Sequence, residues 1–180
     1  MTKTLLATVI AALALLAAGC GGSDESTSAS PTDEWADGFC TAITTWTDSL
    51  TSVTDQFNSP SSLSTSALED AANDVKSSTQ TLVDDLKALG APDTESGQAV
   101  KDSLDSLSST LDAEATKIQS EAEGVSGLTG LPGAITSITT SLSAMATAFG
   151  SALEAIQNLD AKGELQTALE DSSACASISG

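Results

Sequence analysis

Apolar positions recur every three or four residues along most of this chain, and short polar clusters rich in Gly, Pro, Ser or Asn interrupt them. The first such run passes through Trp35, Phe39, Ala42, Trp46, Leu50, Val53 and Phe57, the spacing of one face of a long amphipathic helix. Thr32 or Asp33 can cap its start, Asp33, Glu34 and Asp37 complement its dipole, and Asn58, Ser59 and Pro60 end it. A second helix is predicted from Ser62 to Leu89 on Leu63, Ala67, Ala71, Val75, Leu82, Leu86 and Leu89, stopped by Gly90 and Pro92. A third, from Thr94 to Glu123, carries Val100, Leu104, Leu107, Leu111, Ile118 and Ala122, followed by Val125. The fourth, 132 to 158, has Ile135, Ile138, Leu142, Met145, Phe149, Leu153 and Ile156, and a short fifth, 160 to 174, turns Leu165 and Leu169 inward. No segment alternates as a strand does. Short breaks between long helices force neighbours to run in opposite directions, so the expected fold is all-α: an antiparallel bundle of four long helices plus a short C-terminal helix.

The first residues do not fit the bundle pattern. Lys3 is followed by an apolar stretch from Leu5 to Leu16, then by the small residues Ala17, Ala18 and Gly19. That stretch is too short to span a bilayer, which takes about 20 residues, and it has the layout of a secretory leader. Leu16-Ala17-Ala18-Gly19-Cys20 resembles the lipobox of bacterial lipoproteins, with Ala17 at the position three before the cysteine where Leu is commonest. The resemblance implies a signal peptide over residues 1–19, cleavage before Cys20, and acylation of Cys20. It thereby implies attachment to the cell membrane through lipid, with the domain on the extracytoplasmic face. Two or more acyl chains anchor stably without any protein segment in the bilayer. Residues 20–32 would be the lipidated cysteine and a flexible Gly/Ser/acid spacer, and 33–180 the helical-bundle domain.

Charge narrows the partners. The chain has 25 acidic residues against 6 basic ones, all lysines, for a formal net charge of −19, and becomes one unit more negative if Lys3 leaves with the leader. Nucleic acid is excluded as a partner, since it requires clustered Lys and Arg to displace phosphate counterions. Anionic headgroups are unfavourable for the same reason.

With Cys20 assigned to lipid, Cys40 and Cys175 remain in a compartment that permits oxidation, and one disulfide joining the first helix to the last is expected. Neither belongs to a C-x-x-C pair. The absence of His, Arg and Tyr removes the usual bases, phosphate clamps and metal ligands, and no nucleophile elbow or phosphate-binding loop is present. The expectation is therefore a non-enzyme without cofactor or metal. A glycan hydrolase working through two inward-facing carboxylates is the weakest of the alternatives.

Residues 124 to 153 carry no charge. Serines and threonines interrupt that run too often for a transmembrane helix. It reads instead as a helix contacted on several faces, or as an apolar pocket or partner surface formed with the loop Gly127, Leu128, Gly130, Leu131, Pro132 and Gly133. Trp35 and Trp46, which could form a binding stripe, fall in register with the core. Two functions follow: a membrane-tethered, non-enzymatic interaction or structural module of the cell envelope, partnered by envelope proteins, or a carrier of an apolar small molecule. A cavity between the third and fourth helices would favour the carrier.

Overall fold

A computed structural model describes residues 29–56, 64–160 and 162–177. The leader, Cys20 and most of the spacer lie outside the described residues, as do Phe57 and Leu63. Among the described residues five α-helices follow one another: α1 Pro31–Gln56, α2 Thr65–Leu89, α3 Gly97–Glu123, α4 Leu131–Leu159 and α5 Glu164–Asp171, with a terminal 3-10 turn at Cys175–Ser177. The all-α bundle of four long helices and one short helix is thus the fold, and Cys40 and Cys175 come to disulfide distance with Cα atoms 5.0 Å apart.

Cross-helix pairs fix the directions. Trp35 Nε1 donates to the Gly90 carbonyl at 3.1 Å and Trp46 Nε1 to Thr79 Oγ1 at 3.2 Å, so a step up α1 is a step down α2. Lys76 meets Asp112 at 2.6 Å and Gln119 donates to Asn73 at 3.1 Å, which sets α2 against α3 in the same way. The chain-adjacent pairs α1–α2, α2–α3 and α3–α4 pack closely, whereas the backbones of α1 and α4 do not.

Local chemistry explains the helix limits. α1 begins at Pro31, earlier than the expected cap: Ser30 Oγ accepts from Asp33 N at 3.2 Å while Asp33 Oδ2 accepts from Ser30 N at 2.8 Å, a reciprocal box at the helix start. The helical domain therefore reaches into the stretch predicted as spacer. Ser64 caps α2 by accepting from Ala67 N at 3.1 Å. α3 starts at Gly97, later than predicted, because Thr94 N and Gly97 N are used in turns onto Pro92 O and Thr94 O. A Cβ on Gly97 would stand 2.0 Å from that Pro92 oxygen, so the turn admits only glycine. α5 is shorter than predicted: Gly163, at φ 70°, turns the chain before it, and Asp160 Oδ2 accepts from Gln166 N at 2.7 Å. The many Ser and Thr hydroxyls are absorbed by the helices themselves, as in Thr45, Ser49, Thr51, Thr136 and Thr147, each donating to the carbonyl four residues back.

The core holds the predicted faces of α1, α2 and α3, with Trp35, Trp46, Val75, Leu82, Val100, Leu104, Leu111 and Ile118 buried. α1 buries a second stripe, Ala36, Cys40 and Ile43, because α5 and the terminal turn cover its other side. α4 departs from prediction. Its buried face is Leu131, Ala134, Ser141, Met145, Ala152 and Ile156, while Ile138, Leu142, Phe149 and Leu153 are half-buried and Ile135 is exposed. It is an outer helix packed on α3, not one surrounded on several sides. The predicted Met145 and Ile156 are buried, but small residues Ala134, Ser141 and Ala152 share that face with them, and Ile138, Leu142, Phe149 and Leu153 are left on the flank.

Candidate functional site

That flank makes the site. Midway along the α1–α4 seam the Trp46 and Phe149 rings meet with centroids 6.5 Å apart and planes tilted by 46°, holding the helices apart at the width of two aromatic side chains. Beyond this pair, towards the C-terminal end of α1, the facing residues shrink. Among the described residues α1 offers Val53 and Thr54 there, and α2 offers Ala71 and Ala72 beside Leu68 and Val75. The result is an apolar cleft of about 360 Å³, closed on α3 by Ile118 and on α4 by Ile135, Ile138, Thr139 and Leu142. Ile135, 36% exposed, stands at its mouth.

Among the described residues no charged side chain lines the cleft. Its two hydroxyls are already committed: Thr54 Oγ1 donates to Thr51 O at 2.8 Å and Thr139 Oγ1 to Ile135 O at 2.8 Å. The lysines adjacent in sequence to lining residues are also taken, Lys76 by Asp112 and Lys117 by Glu114. The hydrogen bond from Lys117, and then that from Ser141, hold the Glu114 carboxyl below the ordinary glutamate range despite its partial burial. What the cleft can do is remove hydrocarbon from water.

The residues singled out from sequence are placed as follows. Of the Gly-rich loop, Gly127, at φ 72°, Gly130, Pro132 and Gly133 are exposed, Leu128 is 70% exposed, and Leu131 is buried in the core. None of them lines the cleft, which lies just past the loop, along the first half of α4. Trp35 and Trp46 are buried and form no surface stripe; Trp35 stacks on Phe39 at 5.3 Å. Cys20 is outside the described residues. Of the lining, Val53, Ala71 and Val75 fall on the predicted faces of α1 and α2, whereas Leu68 and Ala72, also buried, lie beside the predicted stripe of α2.

Chemistry that needs buried polar groups has little to work with. Among the described residues the buried polar side chains are Thr79, Ser108, Ser141 and Ser172, with no carboxylate among them. No group of acids or cysteines could hold a metal ion among the described residues. No helix among them is long and apolar enough to cross a membrane. Comparison with protein-family models, with curated proteins and with solved structures finds no match.

Proposed function

We propose that this chain is a lipid-anchored, extracytoplasmic binding protein of the cell envelope, acting without chemistry of its own, and that the cleft along the α1–α4 seam receives an apolar small molecule. The observation that carries the reading is the unfilled apolar space lined by Val53, Ala72, Ile118, Ile138 and Leu142, in a domain otherwise clothed in acids. At about 360 Å³ it falls within the usual range for ligand pockets. Leu16-Ala17-Ala18-Gly19-Cys20 supports the anchor and the compartment. The absence of His and Arg from the chain, and of buried carboxylates among the described residues, argues against an enzyme.

The test is a native mass spectrum of the mature domain, secreted by a related host and kept free of detergent. A second species heavier by one small-molecule mass, absent from an Ala72→Leu variant that fills the cleft, supports the carrier. A single bare mass that survives addition of apolar probes overturns it.

A second reading, the interaction module, is favoured by Leu128 at 70% exposure on the loop beside the same end of the bundle. A Leu128→Ser variant that loses a co-isolated envelope protein while the cleft remains empty would select it.

A further inference from the structure

We infer that the cleft takes the hydrocarbon chain of an uncharged lipid-like molecule that comes from outside the protein, and that it does so at the end of the bundle opposite the membrane anchor. This rests on the binding role proposed above and names the ligand for it.

Placement comes first. The cleft is lined by the last turns of α1, the first half of α2, the end of α3 and the start of α4, which share one end of the bundle. The N-terminus of α1, where the spacer joins, lies at the other end. That end is fastened: Trp35 bonds Gly90, Thr32 Oγ1 donates to Asp93 O at 3.2 Å, Ser172 donates to Asp37, and Cys40 meets Cys175. From Ser30 to Val53 the helix rises about 35 Å. The ten-residue stretch from Cys20 to Ser30 spans about 35 Å only at full stretch. To enter the cleft, acyl groups on Cys20 would have to leave the bilayer that holds them, with that stretch drawn out along the whole domain, which favours an outside ligand as the occupant.

Chemistry comes second. The described lining offers a ligand's buried part no free donor and no charge, because Thr54 and Thr139 donate to their own helices and Lys76 and Lys117 are paired, and it leaves the two hydroxyl oxygens as its side-chain acceptors. A carboxylate or phosphate would therefore meet no cation in the described lining, and would be set against the field of a strongly acidic chain. An alcohol, ester or plain hydrocarbon meets no such penalty.

The experiment uses dodecanol and dodecanoate, each carrying a terminal diazirine, photolysed with two forms of the mature chain. One form is acylated and seated on phosphatidylcholine vesicles; the other is the Cys20→Ser chain secreted behind a conventional leader. The expected result is saturable labelling of peptides around Val53, Leu68 to Val75 and Ile135 to Leu142 in both forms, with dodecanoate weaker than dodecanol by about tenfold or more. Thr139→Lys, an exposed change at the mouth, should narrow that difference, a response that a merely structural role for Thr139 would not give. Equal labelling by the two probes overturns the uncharged ligand and leaves the binding cleft standing. Labelling of the Cys20→Ser form alone means that the protein's own acyl groups hold the cleft, which overturns the outside source. No saturable labelling of either form overturns this inference together with the role it rests on.

Discussion

Trp46 donates its indole N–H to the hydroxyl of Thr79, 3.2 Å away across the α1–α2 interface, in a place where Thr79 has no exposure to solvent. The pair satisfies two polar groups inside an apolar core and orients the ring that Phe149 meets on the other side. Thr79→Val keeps the shape but leaves the indole N–H without a partner, at a cost of about 1–3 kcal/mol. Thr79→Ser keeps the hydrogen bond and loses one methyl, at about 1 kcal/mol. Urea titrations followed by tryptophan fluorescence should place Val as the more damaging change; the reverse order would mean that packing, not the hydrogen bond, dominates.

Cys40 and Cys175 are 135 residues apart, and their link ties the terminal turn to α1. Breaking it should cost roughly 3–5 kcal/mol through the freedom returned to the unfolded chain. Thermal melts of the domain with and without reductant should separate clearly, and the Cys40→Ser, Cys175→Ser double variant should melt like the reduced protein.

Ser108 lies on the buried face of α3 with leucines on either side, and its hydroxyl has no hydrogen-bond partner. Ser108→Ala removes the unsatisfied group and improves helix propensity, so it should raise unfolding free energy by about 1 kcal/mol. A loss of stability in the same assay would show that the hydroxyl is paired in solution.

Acid should weaken the α3–α4 contact. The Glu114 carboxyl is held below its ordinary value by the hydrogen bond from Lys117 and then that from Ser141, the latter reaching across from α4. A group whose folded-state pKa is depressed contributes stability that is fully present above its unfolded value and is lost as the pH falls through the folded one. Glu114 should thus support the fold fully at neutral pH, with its contribution fading below the ordinary glutamate value of 4.5. Glu114→Gln should flatten the acid limb of a stability profile against pH while leaving the neutral region level. An unchanged limb would contradict the assignment.

Periodicity carried much of the fold because long helices with one apolar face leave few ways to bury it. The stripe through Val100, Leu104, Leu107, Leu111 and Ile118 was legible because α3 is covered on the side that carries it. The stripe of α4 was legible only in part: Met145 and Ile156 are buried, but Ile135, Ile138, Leu142 and Phe149, with the same spacing, are not, and Ala134, Ser141 and Ala152 take their place. Nothing in α4 alone states that Ala134, Ser141 and Ala152 will be the contact. Likewise Ile43, fully buried, lies off the predicted stripe of α1, whose other side is covered by α5 and the terminal turn. The start of α1 hinged on Asp33 doing at a helix start what Glu usually does, a substitution easily read as a plain acidic first turn. As for the site, sequence drew the eye to the uncharged run from 124 to 153 but to its loop, whereas the cleft arises further along, from a mismatch in side-chain length between the Trp46–Phe149 pair and the residues beyond it.

Methyl resonances offer the most direct test of the cleft. With the isoleucine, leucine and valine methyls of the mature domain labelled, dodecanol would be titrated in and the shifts mapped by residue. The structure predicts saturable shifts at Val53, Leu68, Val75, Ile118, Ile135, Ile138 and Leu142, with Leu104 and Leu111, deep between the other helices, unmoved. Shifts confined to Leu128 and Leu131, or no saturable shifts at all, would contradict a binding site on the α1–α4 seam.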